Sequence, residues 1–490
     1  IYIGYLCHTT RSGKTITSFK RSQILSLEPS IHQVFFLVDR KDLDKQTLDE
    51  FNKFDPGCVD LTNQTDKLVE QIKDSTKPLI ITTIQKMANA CSNPKYSHIM
   101  DKYKDKKTVF IIDECHRSQF GEMHKQISSM FTNAQYFGFT GTPRFKENPS
   151  QDGRSTADIF EKCLHTYLIK DAIKDGNVLG FSVDYMKFIE SNGQTEEDVM
   201  VEGIDTDEVF MADERIALIA DDIIKHHYIK TSNGKYNALF TVSSIPLLIK
   251  YYDAFKRINH DLKIGAIFTY GANEDLDKNP VHSRESLDRI INDYNGIYKT
   301  YFSSSTFDAY FRDICKKIKN TEIDIVIVVN MLLTGVDAKR LNTLYVDKSL
   351  KYHDLIQAFS RTNRVESDTK PFGNIVCYRT TKASVDEAVK LFSQTDSVDT
   401  VIQAPYEVYK DKFNDAVKKL LEITPVVESV DCLEREEDIK SFIIAFREMA
   451  KILVSLKTFN KFDLDIDEFI INKQNFEDYQ RRIRQGWDDK

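Results

Sequence analysis

The apolar stretch Tyr2 to Cys7 runs into His8-Thr9-Thr10-Arg11-Ser12-Gly13-Lys14-Thr15, and ninety-nine residues after Lys14 the run Val109-Phe110-Ile111-Ile112 ends in Asp113-Glu114-Cys115-His116. This order restricts the fold more than any other feature. A strand, a loop and a helix over Ile16 to Leu27, followed by a later strand closed by an acid pair, specify a parallel α/β sheet with ligand chemistry at its carboxyl edge. In a phosphate-binding loop the backbone N–H groups cradle the phosphates, Lys14 neutralises the β/γ oxygens, and the Thr15 hydroxyl ligates Mg²⁺. Asp113 is then expected to hold the metal, and Glu114 to orient or deprotonate the attacking water. Taken singly, Gly-Lys-Thr is also an ordinary loop before a helix, and Asp-Glu a solvated charged face. Their order and strand context favour the phosphate site. Arg11 fits badly, because such loops use glycine where φ must be positive or the backbone must approach the phosphate closely. A guanidinium is tolerated there if φ is negative, and its charge then suits the phosphates.

Through residue 165 strand-like runs alternate with helical stretches: Val34 to Val38, Leu79 to Thr83, Val109 to Ile112 and Tyr136 to Thr140. Such alternation means βαβ units and a parallel sheet. A second alternating region carries Asn237 to Val242, Ile264 to Phe268, Ile323 to Val329, Thr343 to Val346 and Asn374 to Tyr378. The acidic segment Ser191 to Glu208 reads as a linker or surface insertion. Beyond Lys382 the strand signal fades, and Phe442, Phe446, Met449, Leu453 and Leu456 recur at helical spacing, the mark of core packing. The expected division is a first sheet domain over 1–165, a linker or insertion over 166–215, a second sheet domain over 216–381, and a helical domain over 382–490.

At 490 residues the chain exceeds what one core supports, in keeping with roughly two to four domains. The eight cysteines are scattered without a C-x-x-C pair, which argues against a zinc site and a disulfide framework. No apolar stretch approaches the ~20 residues needed to span a bilayer, and no signal-peptide pattern opens the chain, so a cytoplasmic, non-membrane protein is expected. The net charge of −8 announces no nucleic-acid binder, and any polyanion contact must come from local patches. A phosphate-loop strand is normally central in its sheet. A chain that starts on one is therefore expected to be a fragment, or to lack an ordered N-terminal region.

The second region has its own signature. Gln357-Ala358-Phe359-Ser360-Arg361-Thr362-Asn363-Arg364 falls on an expected helix, with its two arginines three apart on one face. This is either an exposed basic face or a pair of arginine fingers that stabilise charge on a transferring γ-phosphoryl group. The phosphate loop and acid pair favour the second reading. Leu333-Thr334-Gly335-Val336-Asp337 follows the strand Ile325 to Val329, again at a ligand-binding edge.

The ordered set resembles superfamily 2 nucleic-acid translocases, with motif I at His8 to Thr15, Ia at Val38 to Lys41, Ib at Thr82 to Lys86, II at Asp113 to His116, III at Phe139 to Pro143, V at Leu333 to Asp337 and VI at Gln357 to Arg364. Asp39 to Asp44, Asp113 to Gly121, Phe137 to Pro143 and Gln357 to Arg364 are similar to the restriction (R, motor) subunit of type I restriction-modification enzymes. The resemblance covers roughly residues 1 to 380. It implies an α/β fold of two RecA-like parallel-sheet domains in tandem, followed by a helical C-terminal domain. It implies ATP and Mg²⁺ as cofactors, double-stranded DNA as the track, and methylation and specificity subunits as partners. Catalysis would fall to Glu114, Lys14, Arg361, Arg364 and Gln357. The nucleotide would be held by Thr9, Thr10, Ser12, Gly13, Lys14, Thr15, Gly335 and Asp337, and the metal by Thr15 and Asp113. Arg40, Lys41, Thr82, Thr83, Gln85, Ser243 and Thr334 would contact DNA, and His116, Thr140 and Thr142 would couple the two functions.

Arg11 stands where the family has glycine, and the family's N-terminal endonuclease domain and adenine-recognition segment are expected to be missing from this chain. The function implied is an ATP-dependent translocase of duplex DNA. Two other readings stay open: a strand-separating helicase, which needs a wedge element, and a nucleotide-dead DNA-binding or assembly module in which Arg11 has removed turnover.

Overall fold

The computed structural model describes residues 3–9, 12–38, 64–74, 76–116, 120–150, 153–186, 209–269, 280–333, 338–367, 369–459 and 462–488. Thr10, Arg11, Arg40, Lys41, the segment 191–208, Thr334, Gly335 and Asp337 lie outside them, as does the side chain of Thr15.

The described chain divides into two compact units. The first comprises 1–178 together with Lys351–Gln357 and Asp386–Asp396, and the second the remainder. In the first, β1 (Ile3–His8), β2 (Gln33–Val38), β3 (Leu79–Thr83), β4 (Thr108–Ile112), β5 (Ala134–Thr140) and β6 (Lys162–Tyr167) form a six-stranded sheet ordered β3-β2-β4-β5-β1-β6. Every pairing in it is parallel. Alternate residues of one strand enter different cores: Phe35, Leu37, Phe110, Ile112 and Tyr136 pack on one face, and Val34, Phe36, Val38, Val109 and Ile111 on the other. A sheet covered on both faces needs continuous apolar runs, and these strands supply them. Phe110 stacks between Phe35 and Tyr136, with ring centroids 5.0 Å apart on each side.

The second unit repeats the plan with β7 (Phe181–Tyr185), β8 (Asn237–Val242), β9 (Ile264–Ile267), β10 (Ile325–Val328), β11 (Leu341–Asp347) and β12 (Gly373–Cys377), ordered β7-β12-β11-β8-β10-β9. Its pairings are again parallel. Proline in the first turn and the Ser244 hydroxyl, which accepts from Leu247 N–H, start the helix Ile245–Arg257 after β8. Helices Tyr406–Ile423, Glu436–Leu456 and Lys473–Asp488 follow, and their core contains Phe442, Phe446, Met449, Leu453 and Leu456 as the spacing required. The expected class, two parallel-sheet α/β domains followed by C-terminal helices, is the one observed.

Two strands were invisible in the sequence. Edge strand β6 is largely exposed along its length, so it lacks an apolar run. β7 falls inside 166–215, where a linker or insertion was expected, yet it pairs with β12 from Phe181↔Gly373 to Tyr185↔Cys377. The buried Lys230 ammonium donates both to Asp184 on β7 and, at 2.8 Å, to the Thr458 carbonyl of the C-terminal helices.

Candidate active site

β1 delivers the phosphate-type loop, and the helix Lys14–Ser26 leaves it. Gly13 caps that helix at φ 84, a left-handed conformation that a side chain would strain. Ser12 N–H and Oγ both donate to Thr9 O, at 3.2 and 2.7 Å, and Thr9 N–H donates to Tyr167 O on β6 at 2.8 Å. The loop is thus pinned at both ends.

Lys14, 9% exposed, places its Nζ 2.9 Å from Glu114 Oε1. Burial alone would lower the ammonium's pKa, but the Glu114 and Asp113 carboxylates outweigh it and hold Lys14 above its ordinary value. Asp113 and Glu114 follow β4 directly, and β5 lies between β4 and β1, so the strand order brings acid pair and loop to one sheet edge. Glu114 sits at φ 48, a conformation costing about 1–2 kcal/mol for a residue with a Cβ. Flanking bonds enforce it: Asp113 N–H to Leu37 O at 3.0 Å and Cys115 N–H to Phe139 O at 3.1 Å. Strain held by its surroundings at a functional edge suits a side chain that must point one way.

A polar relay extends from Glu114. His116, 4% exposed, places Nδ1 3.4 Å from Glu114 Oε2 and 2.8 Å from Thr140 Oγ1. Thr142 N–H donates to the same Thr140 oxygen at 3.1 Å. Gln357, which groups with the first unit, directs its amide nitrogen to Thr142 Oγ1 at 2.7 Å and His116 Nε2 at 2.9 Å. An amide nitrogen only donates, so His116 accepts at Nε2 and carries its proton on Nδ1.

His8 is the first residue of motif I. It occupies the position five before Gly13, where a phosphate loop begins with a small residue. Its Nε2 lies 2.8 Å from His165 Nδ1, while its buried Nδ1 has no hydrogen-bond partner among the described residues. Burial, then His165 and Lys14, hold His8 below the ordinary imidazole pKa. An orphaned buried nitrogen beside a pinned loop, a lysine ammonium and a helix N-terminus fits a phosphate-bearing ligand.

The remaining predicted residues divide. Thr82 is fully buried, and the Thr83 hydroxyl accepts from Lys86 N–H to cap the helix Ile84–Ser92. Both stand at the carboxyl end of β3, whose two faces are covered. Gln85, in the first turn of the helix Ile84–Ser92, and Ser243, one residue past β8, are half-buried. In the second unit Arg361 is 8% exposed, and Arg364 lines an open cleft of about 630 Å³ with Lys319, Lys339, Arg340 and Glu366.

Residues 2–215 match the SWI2/SNF2 ATPase family, residues 234–380 match type I restriction enzyme subunit R domain 3, and residues 401–484 match the subunit R C-terminal family of type I restriction and modification enzymes. The type I restriction enzyme SauMSSORF170P endonuclease subunit of Staphylococcus aureus strain MSSA476 is 54% identical over 99% of this chain. The chain belongs to the R-subunit family of type I restriction enzymes. The SsaAORF53P endonuclease subunit of Staphylococcus saprophyticus is 55% identical over 98% of the chain, and the HindI endonuclease subunit of Haemophilus influenzae 27% identical over 74%. The chain spans 53% of the length of each staphylococcal relative and 35% of the Haemophilus one. The two R-subunit matches thus cover most of the second sheet and the C-terminal helices, and the first sheet is similar to the SWI2/SNF2 ATPase family.

Proposed function

We propose that this R-subunit segment is an ATP-driven motor that moves double-stranded DNA for a type I restriction complex in the cytoplasm, with methylation and specificity subunits as partners. One observation carries the reading: Lys14 and Glu114 meet at the sheet edge, and Glu114 is joined through His116, Thr140 and Thr142 to Gln357. ATP supplies a γ-phosphoryl group for transfer to water, with Mg²⁺ neutralising its oxygens. Lys14, kept charged by the two carboxylates, and the amides around Gly13 would hold the phosphates, with Thr9, Thr10, Ser12 and Thr15 completing the loop. Asp113 and Thr15 would hold the metal. Glu114 would orient the water or take its proton, while His116 fixes the direction of the carboxylate.

Arg361, Arg364, Gly335 and Asp337 are proposed as the second domain's contribution to the nucleotide site. Arg40, Lys41, Thr82, Thr83, Gln85, Ser243 and Thr334 are proposed as backbone contacts on the track, since a motor advancing over any sequence must avoid base readout. The testing experiment is ATP hydrolysis by this chain with and without linear duplex DNA, together with strand-displacement and triplex-displacement assays. Duplex-stimulated hydrolysis with triplex displacement and no strand separation is expected. Hydrolysis indifferent to duplex would refute the motor.

A further inference from the structure

The exits of four adjacent strands of the second sheet are tied together by one run of polar contacts centred on Lys348. Val329, one residue past β10, has its carbonyl oxygen taken by two donors: Thr241 Oγ1 from β8 at 3.0 Å and Lys348 Nζ at 3.3 Å. A carbonyl has two lone pairs, so this one is held from both sides. The same ammonium donates to Asn330 Oδ1, a charge-assisted bond of the stronger kind. Lys348 is held in turn. Its carbonyl accepts from Thr380 Oγ1, past β12, at 2.7 Å, and that oxygen accepts from Leu350 N–H at 3.3 Å. Thr380 is 4% exposed, which shields this bracket from water.

The position of the clamp in the chain gives it meaning. Ahead of it, Asn330 opens the turn that passes through Leu332, held at φ 65, to Leu333. Behind it, three residues beyond Lys348, the chain enters the segment Lys351–Gln357, which groups with the first unit and ends at the amide bonded to His116 and Thr142. One side chain therefore grips the exit of β10 while its own backbone leads within nine residues to the relay on Glu114.

We propose that Lys348 is a positioning residue that transmits the placement of the Asn330–Leu333 turn to Gln357, so that duplex DNA seated at that strand exit raises the hydrolytic rate at Glu114. The inference rests on the motor reading given above. A lysine that only capped a strand end would, when removed, lower stability and both hydrolytic rates alike. A coupling lysine separates them.

The test uses the full chain and follows ATP turnover with and without linear duplexes of unrelated sequence, nucleotide affinity and thermal stability. The proteins compared are wild type, Lys348→Met, Lys348→Arg, Asn330→Leu and the Lys348→Met/Asn330→Leu pair. Lys348→Met keeps the aliphatic stem and removes the donor. Its DNA-free turnover and nucleotide affinity should stay within about twofold of wild type while duplex stimulation falls about tenfold, the size expected for one charged hydrogen bond. Asn330→Leu should reduce stimulation in the same direction, and the double variant should be no worse than Lys348→Met alone, because both remove one contact. Lys348→Arg should recover most of the stimulation, since a guanidinium can donate to both oxygens. Full duplex stimulation in Lys348→Met overturns the inference, as does an equal loss of DNA-free and duplex-stimulated rates. A wild-type chain that ignores duplex removes the motor reading itself, and the inference with it.

Discussion

Lys14 Nζ and Glu114 Oε1 lie 2.9 Å apart across one hundred residues of sequence, and the ammonium is nearly inaccessible to water. A pair this buried contributes little net stability, but removing one member leaves the other's charge poorly compensated. Its significance is positional: the group suited to phosphate oxygens and the group suited to water meet at one sheet edge.

Replacing either member should therefore stop hydrolysis by a different route. Lys14→Ala should abolish binding of a fluorescent ATP analogue, whereas Glu114→Gln should bind it at near wild-type affinity and release no phosphate. Phosphate release persisting in Glu114→Gln would remove its assigned role.

Gln357→Leu breaks the end of the relay without touching Lys14 or Glu114. Loss of the bond that keeps the His116 proton on Nδ1 should lower kcat by about tenfold with little change in nucleotide affinity. A kcat equal to wild type would show that His116 holds its tautomer unaided.

Arg361→Ala and Arg364→Ala should each lower kcat by on the order of 10³-fold with a smaller effect on nucleotide binding, the signature of an arginine finger. Near-normal kcat in both would return these residues to a structural role in the second unit.

Acid should weaken the second unit through His227, whose ring is fully buried with Nδ1 3.3 Å from the Tyr345 hydroxyl. Burial pushes its pKa down to about 4 from the ordinary 6.5. The unfolded chain therefore binds the proton more readily, so the stability is fully present above pH 6.5 and is lost as pH falls toward 4. The loss should be on the order of 3 kcal/mol. Denaturant midpoints measured across that window should fall steeply in wild type and more gently in His227→Gln. Parallel slopes would assign the acid sensitivity to other groups.

Gly373 opens β12 where an added Cβ would stand 2.2 Å from Thr362 Oγ1, next in sequence to Arg361. Gly373→Ala should cost about 1–3 kcal/mol by overpacking, and Gly373→Ala/Thr362→Ala should recover part of that in thermal unfolding. No recovery would mean that the backbone of this loop, rather than the hydroxyl, fills the space.

Most of the architecture was legible because parallel strands covered on both faces must be apolar throughout. The expected runs at Val34, Leu79, Val109, Tyr136 and Asn237 all sit within observed strands. Edge strands escape that rule, which is why β6, with Lys162, His165 and Thr166 exposed, and the short alternating β7 were passed over. At the site, residue type and order pointed to Lys14 and Glu114, and their proximity is observed. The burial of Thr82 and the capping bond of Thr83 were not legible, because burial depends on what packs over a strand end, which no local pattern records. His8 belongs to motif I but its partner does not, and Lys348 carries no motif of its own. Only the fold sets His8 against His165 and Lys348 against Val329, at separations of 157 and 19 residues.

The ammonium of Lys230, shared between Asp184 and the Thr458 carbonyl, bears on how such a chain can be recombined. An exchange of C-terminal helices between relatives that ignored this partnership would leave a fully desolvated charge short of an acceptor in the recipient sheet. The helices and the second sheet are thus joined through one buried charge, and a crossover between Lys230 and Thr458 should cost stability unless the incoming segment brings a carbonyl to the same place.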